Sequence, residues 1–219
     1  MTYQESFAEN NYVFVPGLLD EHAVKFLASY YEHAKYGHVG FFEKDGTSLN
    51  CHGDASADAV LYLMREKLEQ LTGFELLPTY SFVRIYAKGE KVGKHVDGPA
   101  NQVSCTICIA RDETEWPLKV SFEGKEDSMI MNPGDAVIYR GHIVEHWREK
   151  FAGENQVQVI IGFVIKGGEY EDRKYYGKPE PAFAPHGIKK ASPVRQTKGM
   201  IYQLLRTLRG DRDTKDRKL

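Results

Sequence analysis

From Leu76 to about Ile165 the chain is a succession of short β-branched and aromatic runs separated by turn signals, with no long helical period among them. Strands that follow one another without intervening helices exclude a βαβ arrangement and call for an antiparallel sandwich or barrel. Ahead of this stretch, Asn11 to Val15 reads as a strand closed by Pro16-Gly17. Two helices are then expected. One runs from His22 to Lys35 behind an Asp20 N-cap, the other from about Ala57 to Leu71, where Val60, Leu61, Leu63, Met64 and Leu68 recur at helical spacing. Gly37 to Asp54, between them, reads as a polar, glycine-rich loop. The expected fold class is mostly β with flanking helices (α+β). One domain spans 1–168, with helical N-terminal support over about 18–72 and a β core over about 76–166.

Beyond Gly168 the texture changes. Residues 169–219 read as a charged C-terminal arm, irregular to Pro193, with a short basic helix from Gln196 to Arg209 and disorder from Gly210 onward. The net charge of −2 divides unevenly: residues 171–219 carry 13 Lys/Arg against 6 Asp/Glu, leaving −9 on the rest. An acidic body disfavours nucleic acid as a partner, because phosphate contacts need Lys and Arg. Ile201, Leu204, Leu205 and Leu208 give the basic helix an apolar stripe suited to docking, either in cis or across a homodimer. A hydrophobic content of 42% supports one substantial core. Cys105 and Cys108 share a C-x-x-C spacing, but in a β run their thiols point to opposite faces, which favours buried strand cysteines over a redox pair. No membrane-length apolar segment or signal peptide is evident, so no membrane association and a cytoplasmic location are expected.

Chemistry enters with His95-Val96-Asp97 and, 51 positions further on, His146. Two imidazoles and a carboxylate with open positions beside them form the ligand set of a mononuclear non-haem Fe(II) site. In a strand, residues two apart project to one face, so His95 and Asp97 can grip a single ion. The turn Asn132-Pro-Gly-Asp135 and the apolar run Ala136-Val-Ile-Tyr139 precede His146, and a late strand can bring it across a sandwich to the first pair. His142 also follows that turn and competes for the third position.

Together the segments Arg84-Ile-Tyr-Ala-Lys-Gly-Glu-Lys-Val-Gly-Lys-His-Val-Asp97, Pro133-Gly-Asp-Ala-Val-Ile-Tyr139 and Glu145-His-Trp-Arg148 resemble the Fe(II)/2-oxoglutarate-dependent dioxygenases, in their prolyl-4-hydroxylase-like branch. The resemblance is strong over roughly Thr79 to Ile165 and weaker over Asn11 to Tyr31. It implies a double-stranded β-helix (jelly-roll, cupin-like) core, with Fe(II), 2-oxoglutarate as co-substrate and O2. It implies His95, Asp97 and His146 as metal ligands, since the family's distal histidine follows the closing aromatic, here Tyr139, by about seven residues. Tyr86 matches the family tyrosine that reaches the co-substrate. An intact Asp97 excludes the halogenating branch, which lacks this carboxylate, and favours hydroxylation.

The chain departs from the family where the far carboxylate of 2-oxoglutarate is usually held. The common pattern places Arg or Lys nine or ten residues beyond the distal histidine, and here Asn155 and Gln156 stand there. Arg84, which shares a strand face with Tyr86, and Arg148, two residues past His146, are equal candidates to replace it, because a bidentate guanidinium suits a carboxylate. Thr106 and Gln158 are expected to add hydrogen bonds. Substrate is expected over the loops Gly37–Asp54 and Gly98–Gln102, with His52, His142 and Trp147 as contacts and Trp116 as a further wall. A prolyl residue, a peptide or a small amino-acid-like metabolite is the expected substrate. Two other readings compete: a nucleic-acid-modifying dioxygenase, and a cupin-like metal-binding module without activity.

Overall fold

The computed structural model describes residues 1–35 and 43–177, together with the backbone of two short strands, Phe183–Ala184 and Gly187–Ile188. The chain divides into two compact units, Met1–Gly177 and Lys178–Leu219. In the second, the two short strands pair antiparallel. The expected helix from Gln196 to Arg209, its apolar stripe and the terminal segment lie outside the described residues.

In the first unit the strands are β1 (Tyr12–Val15), β2 (Glu43–Asp45), β3 (Ser48–His52), β4 (Leu76–Tyr86), β5 (Val92–His95), β6 (Val103–Arg111), β7 (Leu118–Phe122), β8 (Lys125–Met129), β9 (Ala136–Tyr139), β10 (Glu145–Arg148) and β11 (Gln156–Ile165). They form a seven-stranded sheet in the order β1-β9-β6-β11-β4-β3-β2 and a four-stranded sheet in the order β5-β10-β7-β8, with every pairing antiparallel. This is the expected double-stranded β-helix with N-terminal helical support. A 3-10 helix, Glu171–Gly177, ends this unit.

Three helices, α1 (Tyr3–Asn10), α2 (Glu21–Lys35) and α3 (Ala55–Thr72), cover one face of the larger sheet. Leu27, Tyr31, Val60, Leu61 and Leu68 from the helices form one apolar cluster with Val83, Ile85, Cys105, Ile107, Val157, Val159 and Ile161 from the strands. A second cluster lies between the sheets and joins Cys108, Val137 and Tyr139 to Leu118, Val120 and Met131. Side chains alternate along β6, so that strand feeds both clusters, Cys105 and Ile107 the first and Cys108 the second. Cys105 and Cys108 therefore lie on opposite faces as free, buried thiols.

Caps set the helix boundaries. The Asp20 carboxylate accepts from Ala23 N, and Asp54 accepts from Ser56 N and Ala57 N. Two elements differ from expectation. The stretch Gly37 to Asp54 is not wholly loop, because β2 and β3 form a hairpin through Gly46, at φ +61°, that extends the sheet beside β4. The short α1 precedes β1, held by a capping box in which Thr2 and Glu5 exchange backbone and side-chain hydrogen bonds. Among the described residues no helix is long and apolar enough to cross a membrane.

Asp112, just after β6, accepts backbone hydrogen bonds from Thr114, Glu154 and Asn155 and so ties the β6–β7 loop to the β10–β11 loop. Burial alone would raise its pKa, but these three donors outweigh it and hold the carboxyl below its usual value. Replacing Asp112 with Ala should cost about 1–2 kcal/mol in denaturant unfolding, since the bonds are charge-assisted but partly exposed. Because the folded pKa is the lower one, this contribution is complete above the unfolded value of about 3.9 and is lost as pH falls through the folded value. The gap between parent and variant should therefore close below about pH 4.

Candidate metal centre and its inner pocket

Antiparallel pairing of β5 with β10 sets His95 directly opposite His146, with ring centroids 4.3 Å apart. Each imidazole donates through Nδ1 to a carbonyl two residues back, His95 to Gly93 (2.7 Å) and His146 to Val144 (3.1 Å). That tautomer leaves each Nε2 as a lone-pair donor, with the carbonyl at Nδ1 fixing the ring's orientation as it does in metal-ligating histidines. Asp97 lies beyond the end of β5, so strand alternation does not place it as the spacing suggested. Its position is set by its own N–H, which donates to Gly141 O (2.7 Å), and by Ser104 Oγ, which donates to Oδ2 (2.8 Å). Oδ1 then stands 3.7 Å from His95 Nε2 and 3.5 Å from His146 Nε2. The three ligand atoms lie within 4.8 Å of one another.

The donor set fits iron: two neutral imidazole nitrogens and one carboxylate oxygen, with no fourth His, Cys, Asp or Glu joining the cluster among the described residues. The centre is asymmetric. The His146 side chain is 6% exposed and that of Asp97 16%, whereas His95 is 45% exposed and forms the open edge. Burial would raise the Asp97 pKa, but His146, Ser104 and His95 outweigh it and hold the carboxyl below its usual value.

Below the centre, Ser104, Thr106 and Cys108 succeed one another along the inner face of β6. Ser104 bonds Asp97, Thr106 Oγ1 donates to Gln158 Oε1 (3.1 Å), and Cys108 neighbours Arg148. Gln156 and Gln158 face the same interior from β11, in register with Tyr86 and Arg84 of β4. The buried Gln156 Oε1 and Gln158 Nε2 have no hydrogen-bond partner.

The two arginines considered for the co-substrate differ sharply. Arg84 is ion-paired, its Nη2 lying 3.3 Å from Glu90 Oε2, and its guanidinium covers the Tyr86 ring at 4.9 Å. Arg148 is buried; its Nη1 donates to Trp116 O, its guanidinium lies 4.7 Å from the Trp116 ring, and Nη2 has no partner. No carboxylate among the described residues pairs with it, and burial lowers its pKa. Burial likewise raises the Tyr86 pKa, against the opposing pull of Arg148 and Arg84.

The substrate candidates are dispersed. His52 stacks on Phe82 at 4.3 Å and lies 5.8 Å from Tyr80. His142 stands outside the three-residue cluster, its Nε2 3.5 Å from Arg140 Nη2 and its ring edge-on to Tyr170. Trp147 projects from the face of β10 opposite His146 and Arg148, between Lys94 and Lys119. Ser104 and Trp116 were not singled out as partners of the metal ligand and of Arg148. Ser104 had a signal in the sequence, because it shares parity with Thr106, whereas the Trp116 contact is purely tertiary.

Gly141 lets its chain segment lie against Asp97. A Cβ there would collide with Asp97 Oδ2 and stand 2.7 Å from Ser104 Oγ. Gly141→Ala should therefore weaken Fe(II) binding about 10–100-fold in a metal titration, the range for lost support of a ligand, while the β core keeps its circular-dichroism signature.

No protein-family model and no curated protein matches this sequence. Solved structures do. A prolyl-4-hydroxylase from Pseudomonas putida superposes with a TM-score of 0.61 at 15% identity, over 74% of this chain and 96% of its own. The non-haem α-ketoglutarate-dependent epimerase SnoN from nogalamycin biosynthesis gives 0.63 at 10% identity, over 87% and 92%. A prolyl hydroxylase from Trichoplax adhaerens, in complex with a hypoxia-inducible-factor oxygen degradation domain peptide, gives 0.62 at 11% identity, over 76% and 89%. This chain has the double-stranded β-helix fold of the prolyl hydroxylases and their α-ketoglutarate-dependent relatives.

Proposed function

We propose that this protein is an Fe(II)- and 2-oxoglutarate-dependent dioxygenase that hydroxylates an unactivated C–H bond. One observation carries the reading: a buried guanidinium without a counter-ion occupies the same interior as a two-histidine, one-carboxylate cluster, two residues along β10 from His146. His95, Asp97 and His146 would hold the metal. When bound, iron with 2-oxoglutarate and O2 supplies the oxidant, one oxygen atom going to substrate and the other to succinate as CO2 leaves.

The chain's own residues bind, orient and exclude water. Arg148 supplies the fixed cation for the far carboxylate of 2-oxoglutarate, and the unpartnered Gln158 Nε2 offers a second donor beside it. Tyr86 lines the same pocket, and Thr106 holds Gln158 in place by donating to its Oε1. Arg84, already neutralised by Glu90, contributes packing against Tyr86. Trp116, Phe151 and Leu118 keep the inner end dry. A closed structural zinc site would require a fourth protein ligand, which the cluster lacks among the described residues.

For substrate we propose a prolyl residue in a peptide or a small amino-acid-like metabolite, approaching over the exposed edge of His95 and the His52–Phe82–Tyr80 ledge. A structural neighbour, the Trichoplax adhaerens prolyl hydroxylase, was solved with a peptide bound, which supports the first of these. The three free cysteines suit the reducing cytoplasm we infer as its location.

Anaerobic titration of the Fe(II)-loaded protein with 2-oxoglutarate should produce the visible metal-to-ligand charge-transfer band of a chelated ketoacid. Arg148→Ala should raise the concentration needed at least about tenfold, and Arg84→Ala much less. A folded, iron-bound protein that shows no band defeats the reading. In a substrate screen scored by succinate release, Asp97→Ala should abolish coupled turnover. His146→Ala should be far more damaging than His142→Ala, and the reverse order would reassign the third ligand.

A further inference from the structure

Resting on the reading above, we infer that Trp116 is the positioning residue for Arg148: it aims the guanidinium into the pocket and keeps its charge unspent. A buried cation is normally held by an anion, and holding it so neutralises it. Arg84 shows that case, since Glu90 lies against it. Arg148 is held by groups that carry no charge. The Trp116 carbonyl accepts Nη1, and the indole face receives the guanidinium at 4.7 Å. A carbonyl dipole and an aromatic quadrupole both stabilise a cation without cancelling it. Nη2 is left buried and without a partner.

Trp116 is itself fixed on every side. Its Nε1 donates to Glu149 O (2.6 Å), so the residue that orients Arg148 is tied to the backbone one position further along the chain. Its ring meets Tyr86 edge-on at 4.8 Å and lies 4.6 Å from Phe151, and it is 5% exposed. The result is a stack in which Arg84, Tyr86, Trp116 and Arg148 follow one another. One end is closed by Glu90, while at the other Arg148 has no carboxylate partner among the described residues. Asp112 anchors the loop that presents Trp116, through its bonds to Glu154 and Asn155.

The test uses the Fe(II)-loaded, full-length protein without oxygen. Trp116→Leu should raise the dissociation constant for 2-oxoglutarate, read from the charge-transfer band, by at least about tenfold, while Fe(II) affinity stays at the parental value. Trp116→Phe, which keeps a ring face and loses the N–H, should recover most of that loss. In turnover the change should fall on KM for 2-oxoglutarate and leave kcat within about twofold, a split that general loosening of the core would not produce.

A second readout does not depend on the leucine variant folding. The chain has two tryptophans, so Trp147→Phe, on the outer face of β10, leaves Trp116 as the sole indole emitter. Its fluorescence should change on saturation with 2-oxoglutarate, and the same titration in Trp147→Phe/Arg148→Ala should show no such change at matched concentrations. Parental 2-oxoglutarate affinity in a folded Trp116→Leu, or a silent Trp116 in the Trp147→Phe protein, overturns the assignment. If Arg148→Ala itself leaves 2-oxoglutarate affinity unchanged, the co-substrate reading fails beneath it. If Arg148→Ala weakens binding and Trp116→Leu does not, only the positioning role is lost.

Discussion

A cation buried without an anion is expensive, and the inner end of this fold is organised around one. The Arg148 guanidinium sits between two sheets, beyond the reach of any described carboxylate, and is tolerated because the Trp116 carbonyl and ring solvate it in place of water. Everything nearby follows from that choice. Gln156 and Gln158 carry no charge to offset it, Cys108 is a thiol kept protonated by burial, with its pKa raised to about 11, and Tyr86 is likewise held as a phenol. A site of this kind is unstable towards anions in the sense that binding one relieves it. In the proposed reading, the stabilisation that a salt bridge would have given to folding is available to the co-substrate carboxylate.

The metal cluster depends on the same strand. His146 and Arg148 are two apart on β10, so a single four-residue strand presents both a ligand and a cation to the interior. The pairing with β5 brings His95 opposite, and the register shifts between this pair and Arg148, which lies opposite Val92. The cluster is thus built by strand pairing at two corners. At the third, Asp97, it is built by loop hydrogen bonds to Gly141 and Ser104.

Much of this was legible in the sequence, and the parts that were not have physical reasons. Short β-branched and aromatic runs between turn signals marked the β core, and helical spacing marked α2 and α3, with Asp20 as the cap of the first; the Asp54 cap of the second went unread. The hairpin β2–β3 escaped because its strands are short and polar; the Asp45-Gly46 step is the turn signal that betrays it. Helix α1 buries Phe7 alone and so has no apolar stripe, leaving the Thr2–Glu5 capping box as its only mark. Spacing brought His95, Asp97 and His146 to notice, yet the strand geometry invoked for Asp97 is not what holds it. Arg84 and Arg148 could not be separated by sequence, because what distinguishes them is a counter-ion across a turn for one and the backbone carbonyl and ring of Trp116, in the loop before β7, for the other. Such contacts have no local signature.

Along β4, β6 and β11 the parity of a residue's position acts as an address. Val83, Ile85, Cys105, Ile107, Val157 and Val159 face the helices, while Arg84, Tyr86, Thr106, Cys108, Gln156 and Gln158 face the interior. The two populations can vary almost independently, one under the demand of packing and the other under the demand of chemistry. The same alternation makes the strands unforgiving of a change in length: one residue gained or lost would drive polar side chains under the helices and turn the aliphatic set onto the interior that holds Arg148. Diversification of a scaffold like this one should therefore proceed by substitution within the strands and by insertion only in the loops that join them.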